Sequence, residues 1–127
     1  MAVSVSSQTT PFVDKLIVDT DANATGEDSI FSGAAANVYI VDIDNSNNST
    51  AEVYAKLFNN ANPTVGGNSS PTEPDVIIPA PKSTRQTVTV GDGINFSSDF
   101  SFACTAGAET ASNNNPSITV TVRIMAE

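Results

Sequence analysis

Over residues 117–126, Ile118, Val120, Val122 and Ile124 alternate with Thr119, Thr121 and Arg123. A period of two residues gives an extended strand one buried and one solvated face, whereas a helix would scatter the same side chains around its axis. Helical spacing is missing elsewhere. No window repeats apolar residues at three and four, and Asn, Ser, Thr, Gly and Pro interrupt each candidate. The chain is therefore expected to be all-β.

Two further strands are legible in the middle of the chain. Residues 37–44 are almost continuously apolar and β-branched, which predicts a central strand covered on both faces at its start. Residues 51–58 put Ala51, Val53, Ala55 and Leu57 on one side and Glu52, Tyr54, Lys56 and Phe58 on the other. The second side is amphipathic, suited to a sheet rim or a partner. The polar run 45–50 between these strands reads as the turn of a hairpin. Strands are also expected within residues 12–19, 29–32, 76–78, 85–90 and 99–105, about eight in all.

Short strands separated by turn signals predict one antiparallel β-sandwich of the immunoglobulin-like or jelly-roll type, with a small barrel as the alternative closure. Residues 59–75, with Pro63, Gly66, Gly67, Pro71 and Pro74, and residues 106–116 read as exposed loops. Residues 1–11 alternate weakly at Val3 and Val5 and have no legible partner strand. They are expected to form an extended N-terminal arm, with the sandwich domain over 12–127. Such an arm can add a strand to a neighbour's sheet edge. Val3, Val5, Thr10, Pro11 and Phe12 are its expected partner-binding residues.

A chain of 127 residues suits one domain, and 39% hydrophobic residues suffice for one core. Charged residues make up 15%, below the roughly 25% usual in soluble domains. Fourteen acids face five bases, a formal charge of -9 that repels a nucleic-acid backbone or an anionic membrane. Neither partner is expected. No apolar run approaches the roughly 20 residues of a membrane helix. The first residues show neither a basic nor an apolar leader region, so synthesis and folding in a cytoplasm are expected.

Candidate chemistry is sparse. The chain has no His, which removes a Ser-His-Asp triad and leaves Cys104 without the base a nucleophilic thiol would want. Cys104 lies in an apolar run and reads as a small buried hydrophobe. Residues 19–28 place Asp19, Asp21 and Asn23 at alternate positions, as a calcium loop does, but no Gly stands at the sixth position and Ile30 stands at the twelfth. A turn whose Asp and Asn side chains bond their own backbone is the expectation there. Asp42 and Asp44 are expected on a solvated rim, and Lys56, Lys82 and Arg85 on solvated strand faces. Paired carboxylates could serve glycoside hydrolysis, yet the chain has no Trp and two Tyr with which to stack a sugar. The Asn-X-Ser/Thr triplets, such as Asn68-Ser-Ser, follow from composition. No catalytic, cofactor or metal residue is assigned, and a non-enzymatic protein is expected.

The runs Val-Tyr-Ile-Val-Asp-Ile-Asp-Asn-Ser at 38–46, Val-Tyr-Ala-Lys-Leu-Phe-Asn-Asn-Ala-Asn-Pro-Thr-Val-Gly at 53–66, Gly-Ile-Asn-Phe-Ser at 93–97 and Phe-Ser-Phe-Ala-Cys-Thr at 100–105 resemble small virion-associated proteins of tailed bacteriophages. The resemblance covers residues 37–127. In size, acidity, β-content and lack of catalytic residues the chain is similar to their capsid decoration, or cement, proteins. That resemblance implies a place on the outer capsid surface, contacts with the major capsid protein and with copies of itself, and stabilisation of subunit seams against DNA pressure. A carbohydrate-binding or adhesive module of a head fibre or tail is the alternative. A tail-tube or tail-terminator subunit is the third.

Overall fold

The computed structural model describes residues 3–7 and 13–127. No helix occurs among them. The strands are β1 (Val3–Ser7), β2 (Lys15–Asp19), β3 (Ala36–Asp44), β4 (Val53–Phe58), β5 (Val76–Ala80), β6 (Arg85–Phe96), β7 (Ser101–Thr105) and β8 (Thr121–Ala126). They build a large sheet of five strands in the order β1-β2-β8-β3-β6 and a small sheet of three, β5-β4-β7. All neighbours are antiparallel.

The inward faces of the two sheets share one core, and the protein is an antiparallel β-sandwich. Ile17, Val41, Ile43, Val122 and Ile124 of the large sheet join Val53, Ala55, Leu57, Phe102 and Cys104 of the small one. Each such large side chain stabilises the fold by about 2 kcal/mol when fully buried. Phe100 sits between Phe96 and Phe102, with ring centroids 4.8 and 5.9 Å away. The alternation at the C-terminal end holds from Val120 onward. Ile118 stays 43% exposed because β8 starts only at Thr121.

Several local expectations are corrected. Residues 45–50 do not close a hairpin, since β3 and β4 belong to different sheets. The chain crosses the sandwich there around Asn45, which is fully buried. Its Nδ2 donates to the carbonyls of Ala51, Ala80 and Pro81 at 3.1, 3.0 and 3.2 Å, tying this crossing to the one between β5 and β6. Residues 29–32 form no strand. Ser29 and Ser32 have φ of 49° and 56°, incompatible with extended pairing.

Val3–Ser7, expected within an arm lacking a partner strand, runs as edge strand β1. It is paired with β2 from Val3↔Asp19 to Ser7↔Lys15. The outer edge of β2 offers unpaired backbone groups, and a strand of any sequence with the right reach satisfies them. Residues 1–2 and 8–11 of the expected arm lie outside the described residues.

Strand β4 is covered on both faces. Lys56, expected on a solvated face, is 1% exposed, and Phe58 is equally buried. Lys56 Nζ donates to the carbonyls of Glu109 and Ser112 at 2.7 and 3.1 Å. The loop over residues 106–116 thus lies across the back of the small sheet. The 59–75 loop meets it where Gly67 N donates to Ala111 O at 2.9 Å. At Gly66 (φ 64°) a Cβ would stand 2.5 Å from Ser112 O, so only glycine allows this approach. Polar loops that read as free from the sequence are the outer layer of one sheet.

Candidate interaction surface

Among the described residues there is no pocket and no group of three or more His, Cys, Asp or Glu placed to hold a metal. The acidic segment after β2 uses its side chains on its own backbone. Asp19 Oδ1 accepts from Asp21 N at 3.0 Å and Asn23 Oδ1 from Thr25 N at 2.9 Å. Its backbone then closes the free edge of β7: Glu27 exchanges hydrogen bonds with Phe102, and Asn23 O accepts from Cys104 N. Burial pushes the Asp19 carboxyl above its ordinary range, against the lowering effect of the Asp21 amide.

Cys104 is fully buried in the core, and burial, with Asp19 as a lesser cause, pushes its thiol up to about 12. Native protein at about pH 8, near the titration of a free thiol, is expected to leave a chromogenic disulfide reagent unreacted. One equivalent should react after denaturation. Rapid labelling of the folded protein would show the thiol to be accessible.

The outward face of the large sheet has a different character. Leu16 pairs with Met125 and Met125 with Ile40, so the three stand side by side on one face. Their strand neighbours Ile17, Ile124 and Val41 point into the core. Val18, Arg123, Asp42 and Thr87 form the adjacent row. Leu16, Val18, Ile40 and Met125 are half-buried and lie outside the core cluster.

In that second row Arg85 grips Asp42 with Nε at 3.0 Å from both carboxylate oxygens and Nη2 at 2.7 Å from Oδ2, while Thr87 Oγ1 donates at 2.8 Å. Arg123 Nη1 stands 3.6 Å from the same carboxylate. Burial acts to raise the Asp42 pKa, but the hydrogen bonds from Arg85 and Thr87 and the charges of both arginines outweigh it and hold the carboxyl below its ordinary range. Asp42 was expected on a solvated rim and is instead 7% exposed. Cross-strand cations replace the water it would otherwise need. Asp44 does sit at the strand end, where Oδ1 accepts from both the amide and the hydroxyl of Ser46.

A bulge shapes one end of this face. Val38 pairs with Ile94 and Ile40 with Thr89, so β6 spends residues 90–93 opposite Tyr39 alone. Gly93, at φ 77°, lies against the Tyr39 ring, where a Cβ would come within 3.1 Å. The Tyr39 hydroxyl donates to Glu127 Oε1 at 2.5 Å.

Of the expected partner-binding residues, Val3 packs against the core and Val5 is 49% exposed on the edge strand. Thr10, Pro11 and Phe12 lie outside the described residues. No known protein family, curated protein or solved structure matches this chain. The candidate surface therefore rests on its own geometry: the outer edge of β1, with which no strand pairs among the described residues, and the outward face of the large sheet beside it. The sequence held a signal for that face, since 15–19 and 123–126 carry apolar residues on both sides of the alternation. Only the register shows that Leu16, Met125 and Ile40 are neighbours.

Proposed function

We propose that this chain is a non-enzymatic virion structural protein of a tailed bacteriophage, a decoration or cement protein that binds the outer head surface and stabilises capsid seams. The observation that carries the reading is β1. It is an edge strand with four of five residues exposed, and among the described residues no strand pairs with its outer edge, which suits it to accept one from a capsid subunit. Pairing through backbone needs no pocket and suits a domain whose function is mechanical. A charge of -9 fits the outside of a particle rather than the side facing packaged DNA. The partners in this reading are the major capsid protein and copies of this chain, after synthesis in the host cytoplasm. The long loops that an adhesive module would extend towards a glycan are here packed over Lys56, which favours decoration over adhesion.

Purified protein incubated with mature, empty heads of its source phage is expected to sediment with them and to appear at regular lattice positions in electron cryomicroscopy. Deletion of residues 1–11 should abolish binding. Failure to bind intact heads would remove the decoration role, and unchanged binding after the deletion would remove β1 from it.

A further inference from the structure

We propose that the segment from Asp19 to Asp28 is a pH-responsive clasp on the outer edge of β7, one that closes more tightly as its carboxyls take up protons and loosens as they ionise. The inference holds or fails independently of the capsid reading.

The segment fastens one sheet to the other. Asp19 ends β2, paired with Val3 of β1 and Val122 of β8, and Ala22 N donates to Val120 O at 3.0 Å, so this end belongs to the large sheet. Further on, Glu27 N donates to Phe102 O at 2.7 Å, Phe102 N to Glu27 O at 3.0 Å and Cys104 N to Asn23 O at 3.0 Å, so the other end belongs to the small one. Between them Ala24 N donates to Asn115 Oδ1 at 3.0 Å. Edge pairings this short open locally before whole sheets do.

Charge makes the fastening conditional. The segment carries Asp19, Asp21, Glu27 and Asp28 and no base. The five bases stand elsewhere: Lys15 reaches Ser7 at the other end of β2, Lys56 holds the 106–116 loop, Arg85 and Arg123 face Asp42, and Lys82 follows β5 on the opposite side of the small sheet. The elements packed against the clasp supply no cation either. Val3–Ser7 of β1 is uncharged, and β7 brings only the Cys104 thiol. In the 106–116 loop Glu109 acts on Lys56, and in the 59–75 loop, whose Val65 lies beside Gly26, Asp75 accepts from Asn59 N and Glu73 is exposed. Asp99 is taken up by its own turn.

Two of the four acids sit where ionisation is costly. Asp19 is 1% exposed and Glu27 is half-buried. Burial pushes both carboxyls above their ordinary range, and neighbouring acids add to it, Asp21 for Asp19, and Asp19 and Asp28 for Glu27. The Asp21 amide lowers the first, and the chain's amino terminus lowers both, without reversing either. Opening the clasp admits water to Asp19 and lets Glu27 move away from it, so the open state tolerates the two charges better. The closed state therefore binds protons more tightly. An acid raised in the closed state costs stability above that raised value, and the cost disappears as pH falls towards the ordinary 3.8 of Asp and 4.5 of Glu.

Hydrogen exchange of the full chain, read as protection factors from about pH 7 to about pH 4.5, tests the clasp in a window where other groups keep their charge. An amino terminus ordinarily titrates at about 7.7–8.0, the Cys104 thiol is pushed up to about 12, and Asp42, Asp44 and Asp99 are held below 3.8. Protection of the Glu27, Phe102 and Cys104 amides is expected to rise several-fold on acidification, with no matching rise in β3 and β8. Asp19→Asn keeps an acceptor for the Asp21 amide and removes the charge. It should show high protection already at pH 7 and a flattened profile. Should it fail to fold, Glu27→Gln, at a half-buried position, decides the matter by the same flattening. Protection that is constant or falls on acidification, clasp amides that move together with those of β3 and β8, or a wild-type profile in the folded variants would each overturn the proposal.

Discussion

Asp99→Ala is expected to destabilise the protein by about 4 kcal/mol, enough to lower the midpoint of thermal unfolding by more than about 10 °C in a domain of this size. Asp99 is fully buried. Its carboxylate accepts from Ser29 Oγ at 2.6 Å, Gly33 N at 2.6 Å, Phe100 N at 2.7 Å and Phe31 N at 3.2 Å. Truncation would leave those backbone amides without an acceptor in a turn that already holds Ser29, Ser32 and Gly33 at positive φ. Hydrogen bonds to a charged acceptor are individually worth about 1.5–3 kcal/mol, and part of this is recovered by water entering the opened turn. The damage should extend to β7, because Ile30 N donates to Phe100 O beside the same turn.

Asp99→Asn separates charge from shape, since one acceptor oxygen becomes a donor facing other donors. Burial acts to raise the Asp99 pKa, but the hydrogen bonds from Ser29, Phe100, Gly33 and Phe31 prevail and hold the folded carboxyl below its ordinary 3.8. A group depressed in the folded state contributes stability above its unfolded pKa and loses it as pH falls through the folded value. The gap between wild type and Asp99→Asn in urea unfolding should thus be full at neutral pH and shrink below 3.8. A gap independent of pH would mean that the carboxylate's charge contributes nothing.

Lys56→Met is expected to cost about 2–3 kcal/mol and to loosen the loops before the sheets. Methionine keeps the aliphatic stem and the packing while removing the donor, so the carbonyls of Glu109 and Ser112 lose a buried partner. Burial holds the Lys56 pKa below its ordinary value, with the Glu109 charge acting the other way, so the buried ammonium is itself disfavoured. Relief of that cost keeps the expected loss below that of a broken ion pair. Hydrogen exchange should speed up in residues 106–116 and where the 59–75 loop meets them, at Gly67, with little change in β3 and β8. Unchanged exchange in the loops would show that Lys56 does not hold them.

The positions where local reasoning failed share a cause. Lys56, Asp42, Asn45 and Asp99 are polar residues that local pattern assigns to water or leaves unassigned, and each is buried against groups far away in the chain. The separations are 53 residues from Lys56 to Glu109, 43 from Asp42 to Arg85, 35 from Asn45 to Ala80 and 66 from Asp99 to Gly33. A buried polar group is tolerable only when its partners are in place, and the identity of those partners is a property of the assembled sheets. The 45–50 turn failed in the same way. Asn and Ser mark a reversal equally well whether the next strand pairs beside the last one or crosses to the facing sheet.

Local chemistry was sufficient for the class of structure. Side-chain alternation at period two, turn residues between the strands and a modest apolar share leave an all-β, single-core domain as the outcome, because each of these acts over a few residues and needs no knowledge of the rest. Pairing was a different matter. The order β1-β2-β8-β3-β6, the crossing at Asn45, the capping of β7 by Glu27 and the alignment of Leu16, Met125 and Ile40 join residues distant in the chain. Backbone hydrogen bonds are nearly indifferent to sequence, so the choice among possible partners falls to how the whole core packs. The candidate surface is a product of that choice.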